Sequence, residues 1–522
     1  MTDDRIARYL VERAGSIELP AGDPARVAHR VARRRHLRRG IASALAATVV
    51  AGGSVALAQR AGDAPDRLAI DWGVVAPSPL DWSVAEPSSG IADPAAVSAT
   101  ALTDGGVYSL STAPAGGSPG AREPGRPATL YRSGDGADWT PVDLPGDFWA
   151  EALAGSGGRL YAVGTAPAGG GTELRVEASA DGGATWSSAT VPSDLADLQR
   201  RYPGEVVTGR PTIAAHGGTV VVALPVFGSP DIEGRLPGGS LPAWADSWEL
   251  TEDGVVVFAS AECETVRGER PGEVRCGDSA AADRPMELYT WSELGVDAEL
   301  RDLALAGRSD VAVSQDGGEF TPVDLGAAAP PGSASAVVAT DDGFRLLLTT
   351  FAGEGRTAVL ASADGAAWRP VAELPGALGT AGTVGGRAAA AVTAGPGGVT
   401  SIHLEQADGT WRPVDPRGAV EARERAVVGA VAFGPLGWAA TVYERPADGE
   451  AEGGPPEVEV VHSTDGTTLS VVPLDDVVEG PGDATIGVLV TADAVIVRLT
   501  DAVDGDPATV AAQQVVVGTP RG

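Results

Sequence analysis

Residues 179–186 read SADGGATW and put a hydroxyl, a carboxylate, two glycines and an indole within eight positions. A serine and an aspartate are residue types used by nucleophiles and general acid–base groups. The same residues equally suit a tight turn. The Ser179 hydroxyl and Asp181 carboxylate can take up turn N–H groups. Gly182 and Gly183 permit positive φ, and Trp186 can fold back over a hairpin and bury its ring.

Recurrence separates the two readings. SGDGADWTPV starts at Ser133, SQDGGEFTPV at Ser314, SADGAAWRPV at Ser362, QADGTWRPV at Gln406 and STDGTTLSVV at Ser463. The shared aspartates are Asp135, Asp181, Asp316, Asp364, Asp408 and Asp465, at spacings of 46, 135, 48, 44 and 57 residues. The aromatic that follows is Trp139, Trp186, Phe320, Trp368 or Trp411. A second repeat alternates with the first. Seven segments (101–110, 152–164, 213–224, 337–350, 382–394, 431–443 and 488–500) read as apolar strand, small-residue turn, apolar strand. Internal repetition of paired hairpins predicts an all-β, seven-bladed propeller. One hairpin supplies strands a and b of each blade, and the aspartate hairpin supplies c and d.

The 135-residue spacing is read as one blade carrying an insertion over about 227–307. An eight-blade count is the alternative, with WELTEDGVVVFA (248–259) in a degraded blade. The last blade lacks its aspartate hairpin. An N-terminal strand such as RLAIDWGVV (67–75), within a linker at 61–96, is expected to complete it and close the ring over 97–522.

SADGGATW matches the Asp box, S-x-D-x-G-x-T-W, at every specified position, including Ser179, Asp181, Gly183 and Trp186. The chain thus resembles the sialidase-like propellers built of bacterial neuraminidase repeats. The resemblance implies a structural role for Ser133, Ser179, Ser314, Ser362, Ser463 and their box aspartates. It also implies that ligands bind on the opposite face, among the b–c and d–a loops. The arginine motif Phe/Tyr-Arg-Ile/Leu-Pro of sialidases is missing. Its nearest echo has Arg210 directly before Pro211. Family sialidases also have six blades.

The insertion is the longest b–c loop and the richest in aromatics. Trp244, Trp248, Tyr289 and Trp291 are the candidate binding lid for a protein or glycan partner. ELYTWSELGVDAELRDLALAG is expected to form a short helix there. Cys263 and Cys276, with no CxxC and no neighbouring histidine, are read as a local disulfide, not a zinc site.

Residues 41–58 carry no charge over 18 positions, the lower limit for a bilayer span. Arg33–Arg39 precede them, and residues 1–39 hold ten arginines against five acids. The expectation is a cytoplasmic head (1–39), a signal-anchor helix (40–60) and an extracytoplasmic propeller. A cleaved signal is the alternative. The head, with DDRIARYLVERA and DPARVAHRVARRR as short helices, resembles those of actinobacterial single-pass proteins, some of them anti-sigma factors. The net charge of −32 argues against nucleic acid. No P-loop, GxSxG or HExxH is present, and the five histidines form no ligand-spaced cluster. No cofactor, metal or catalytic residue is assigned. A non-enzymatic recognition or sensing protein is the favoured reading. A glycoside hydrolase, most simply sialidase-like, and an anti-sigma-like transducer are the alternatives.

Overall fold

Strands such as Arg159–Ala168 and Thr219–Gly228 are apolar for longer than a one-faced strand requires, and they are buried along most of their length. Strands of this kind must be covered on both sides. The computed structural model meets that demand with seven blades of four antiparallel strands, two of which gain a fifth strand, Val206–Thr208 in blade 3 and Val74–Val75 in blade 6. It describes residues 74–85, 97–111, 128–134, 139–168, 171–242, 245, 247–258, 263–265, 274–276, 287–330, 332–350, 355–394, 399–420, 426–444, 457–478, 484–502 and 510–521.

Blade 1 comprises Val97–Thr103, Gly106–Ser111, Thr129–Ser133 and Thr140–Val142. Blade 2 comprises Trp149–Ser156, Arg159–Ala168, Gly171–Ser179 and Ser187–Thr190, and blade 3 Thr212–His216, Thr219–Gly228, Arg308–Gln315 and Phe320–Val323. Blade 4 is Ser333–Thr340, Gly343–Thr350, Arg356–Ser362 and Arg369–Pro375. Blade 5 is Ala377–Val384, Arg387–Ala394, Val399–Glu405 and Trp411–Val414, and blade 6 Ala426–Gly434, Gly437–Glu444, Val458–Ser463 and Thr468–Pro473. Blade 7 takes Ala484–Val490, Val495–Ala502 and Val510–Pro520 from the C-terminal part and Leu80–Ala85 from the N-terminal part.

The count is seven, and 248–259 belongs to the insertion, not to an eighth blade. The ring-closing strand is Leu80–Ala85, antiparallel to Val510–Pro520, rather than 67–75. Val74 and Val75 instead lie parallel to the outer edge of blade 6 at Thr468 and Leu469. Ser78 decides this path. Its hydroxyl accepts from the Leu80 N–H (3.1 Å) and the Trp82 indole (3.0 Å) and meets the His462 Nε2 of blade 6 at 3.0 Å.

The first strands of successive blades pack on one another and form the inner ring. They approach so closely that a Cβ at Gly155 would strike the Leu102 carbonyl, and one at Gly434 the Val490 carbonyl. In blades 1, 2, 4, 5 and 6 the inner strand carries a bulge near its start, which bends it. The a–b turns also bond blade to blade, with Asp104 N donating to Gly157 O (2.9 Å), Asp341 N to Gly386 O (2.8 Å) and Leu436 N to Thr491 O (3.1 Å).

Each blade is an up-and-down meander. The a–b and c–d turns therefore share one face, and the b–c and d–a connections share the other. The expected head (1–39) and span (41–58) fall outside the described residues. Among the described residues no helix is long and apolar enough to cross a membrane.

Trp438 is the largest fully buried side chain, yet its indole N–H has no hydrogen-bond partner among the described residues. Trp438→Ala is expected to cost about 3–5 kcal/mol in denaturant unfolding. Trp438→Phe keeps most of the volume, removes the orphan donor and should cost under about 1.5 kcal/mol.

Candidate functional site

The Asp-box turns lie on the a–b side of the ring. Asp181 accepts from the Thr185 N–H (2.8 Å), the Thr185 hydroxyl (2.6 Å) and the Ser179 hydroxyl (2.9 Å), while Ser179 Oγ accepts from Gly183 N (2.8 Å). These bonds hold its carboxyl down at about 2, the Thr185 hydroxyl contributing most. Asp364 accepts from Ala366 N (2.9 Å), Ala367 N (3.0 Å) and Ser362. Asp465 does the same with Thr467 N, Thr468 N and Ser463. Asp408 takes the Thr410 N–H and hydroxyl at 2.9 and 2.6 Å. Carboxylates so saturated by their own turns have little left for a substrate.

Asp316 departs from the pattern. It sits at φ 61° and holds Arg159 of blade 2 at 3.2 Å, with both side chains exposed. Ser314 turns its hydroxyl to the Gln315 carbonyl. The S-x-D-G letters are therefore present without the staple. Asp135 lies outside the described residues, whereas Ser133 and Trp139 are buried.

The box aromatics do not simply fold back on their own hairpins. Trp186 reaches blade 1, where its indole donates to the Asp143 carbonyl at 2.9 Å. Phe320 packs with blade 2, Trp368 with blade 3, Trp411 with blade 4 and Trp139 with Leu489 of blade 7. The box glycines abut the preceding blade too. A Cβ at Gly317 would meet the Tyr161 ring at 2.7 Å, and one at Gly365 would meet Val221 at 2.5 Å. This cross-seam role is invisible in any single copy of the motif.

The insertion runs from Ser229 to Gly307 on the opposite face, because the flanking strands extend to Gly228 and from Arg308. Helix α1 (Leu195–Arg201) lies in the connection between blades 2 and 3. The insertion contributes α2 (Ile232–Arg235), α3 (Ala298–Leu305), a sheet of Ser247–Leu250, Gly254–Phe258 and Glu287–Thr290, and a ladder of Cys263–Thr265 with Val274–Cys276. Its apolar side joins Trp291, Leu294, Leu300 and Leu303 to Val222, Leu224 and Val226 of blade 3.

Polar ties fasten the rim. Arg235 grips Glu205 (2.7 and 2.8 Å) and two carbonyls, at Leu294 and Gly295. The Tyr202 phenol donates to Asp297 (2.9 Å) and Glu299 (3.0 Å), and Arg201 pairs with Glu299. Desolvation, then these two carboxylates, raises the Tyr202 phenol and keeps it protonated.

Of the candidate lid residues, Trp291 is 6% exposed and donates its indole N–H to the Glu252 carbonyl, so it is a core side chain. Trp248 and Tyr289 are half-buried against the same core, and the Tyr289 phenol bonds Glu287. Trp244 lies outside the described residues. Trp291 nonetheless contributes to an open groove of about 410 Å³, lined also by Glu252, Asp253, Thr290, Asp297 and Arg301, among others. A second, of about 420 Å³, lies between Glu299, Asp302 and Arg308. Neither brings three arginines together. Arg210 is committed to the Glu151 carbonyl of blade 2. Among the described residues no group of three or more metal-ligating side chains converges.

No family model matches the chain, and no curated protein matches it. Among solved structures it is similar to a Trypanosoma rangeli sialidase complex with a difluoro-KDN ligand, at 12% identity and TM-score 0.32, over 74% of this chain and 55% of that one. It is similar also to a Hadza microbial sialidase (14%, TM-score 0.33, 70% of this chain and 63% of that one). Phage phi92 endosialidase matches at 10% identity and TM-score 0.32, over 86% and 68% of the two chains. The match thus spans little more than half of the trypanosomal enzyme. The fold itself rests on the seven sheets described above.

Two buried histidines contribute to the acid response. Burial holds His462 and His403 at about 4, below the usual histidine value. The unfolded chain binds these protons first, near pH 6.5. Stability is therefore full above about pH 6.5 and falls as pH drops toward 4. Melting temperature measured from pH 7 to 4 should decline in this window, and His462→Gln should flatten the decline. Loss of the Asp181 bonds belongs to a lower window, between about pH 4 and 2. At pH 7, Asp181→Asn should lower the melting temperature and Asp316→Asn should leave it nearly unchanged.

Proposed function

We propose that this protein is a non-enzymatic recognition module that meets a protein or glycan partner through the blade 3 insertion. The observation that carries this reading is that two open grooves among the described residues lie on or beside that insertion, on the face away from the saturated Asp-box turns. Glu252, Asp253 and Asp297 outweigh Arg301 in the groove they line together, which favours a cationic or hydroxyl-rich ligand. Trp291 lines this groove beside the hydroxyls and charges that a partner would meet. The reading includes a membrane anchor at 41–58, with the propeller outside the cell. It includes a disulfide as well, which the strand register supports. Cys263 and Cys276 are direct partners in the ladder, and opposed residues are spaced about 4.5–5.5 Å between Cα atoms, within reach of an S–S bond.

A fluorogenic glycoside panel on the purified protein should show no turnover; robust hydrolysis would replace this reading with the hydrolase one. On a glycan array and in cross-linking to surface proteins, Asp253→Arg with Arg301→Glu should abolish binding without changing the melting temperature. A non-reducing digest should yield one cross-linked peptide containing Cys263 and Cys276, and recovery of both as free thiols would remove the disulfide.

A further inference from the structure

Two of the seven blade seams hold a buried arginine from the second strand of a blade, and the two are treated differently. At the seam between blades 4 and 5, Arg345 is 7% exposed and fully matched. It donates to Glu405 of blade 5 at 2.8 and 2.9 Å and to Asp342 at 2.9 Å. At the seam between blades 7 and 1, Arg498 is 5% exposed and lies 4.8 Å from the Trp139 ring centroid. Its Nη2 has no hydrogen-bond partner among the described residues.

The side-chain alternation fixes where Arg498 points. Val495, Val497 and Leu499 pack in a cluster shared with blade 6, so Arg498 faces blade 1. On blade 1, Tyr108 and Leu110 pack toward blade 2, and Val107 packs with Trp139 and Leu489 of blade 7. Ser109 therefore faces blade 7. Its hydroxyl is fully buried and has no partner either. Val495 pairs with Val490 as Val107 pairs with Leu102, and Thr491 bonds Ala494 as Thr103 bonds Gly106. Arg498 thus stands level with Leu110, one residue further along its strand than Ser109, and its long side chain reaches back to Trp139 across the same seam.

A guanidinium removed from water without an anion costs several kcal/mol, and the Trp139 face offsets only part of that. Burial lowers Arg498 to about 10, which leaves it charged at neutral pH. We propose that the seam between blades 7 and 1 is a binding site for a small monovalent anion, held between the Arg498 guanidinium and the Ser109 hydroxyl and completing the ring closure there. Chloride, or a carboxylate of formate size, has the required charge and accepting capacity. The site lies far from the grooves on the insertion and is independent of their function.

The test compares thermal unfolding of the full chain in sodium chloride and in sodium gluconate at equal ionic strength. Chloride should raise the melting temperature by a few degrees and saturably. Arg498→Met should lose the response, and Ser109→Ala should shift its midpoint about tenfold toward higher chloride. Crystals soaked in bromide should show an anomalous peak beside Arg498, a readout that stands even where Arg498→Met fails to fold. Equal melting temperatures in the two salts, or a chloride response retained in Arg498→Met, would overturn the proposal. So would a chloride response that appears only in Asp135→Asn, because the box aspartate of blade 1 would then be the counter-ion.

Discussion

A blade in this fold is stable only when both its faces are covered, and one recurring side-chain position contributes to that covering at six of the seven seams. The residue closing each Asp-box turn lies against the preceding blade: Trp139 against blade 7, Trp186 against blade 1, Phe320 against blade 2, Trp368 against blade 3, Trp411 against blade 4 and Leu469 against blade 5. The box carboxylates shape the turns so that this residue arrives in the right place. Their hydrogen bonds are local, but their effect is felt one blade away. Much of the ring's interior surface depends on this arrangement, since apolar burial contributes most of the stabilisation available to an all-β chain.

The two faces of the ring follow from the same economy of connections. The turn face is short, repetitive and saturated with its own hydrogen bonds. The other face is free to vary, and in blade 3 it holds a small α/β module with its own apolar underside. The charged ties from Arg235 and Arg201 fix that module against the d–a connection of blade 2 rather than leaving it as a loose loop. The grooves on it are rimmed by acids, in keeping with the acidic character of the chain.

Repetition made the fold readable in advance. All seven a–b hairpins stand where their small-residue turns place them, because a two-residue turn between apolar runs is a local code. What depended on distant contacts was not readable. RLAIDWGVV and LDWSVA carry similar letters, and only their pairing with strands about 400 residues away shows that LDWSVA completes blade 7. Asp316 shares the box letters but follows its own turn at positive φ toward Arg159. Trp291 looked like a surface anchor because insertion sequences carry no period from which burial can be read. The cross-seam reach of Trp186 had no sequence signal either, since Asp143 lies 43 residues away.

Blade 7 has no Asp box, and the seam it shares with blade 6 is held instead by the segment from Val74 to Ala85. That segment is at once the ring's clasp and the link to everything that precedes it in the chain. A pull at Val74 is borne by two β-ladders and the Ser78–His462–Trp82 knot. Tension applied at Val74 is therefore tension on the closure of the ring.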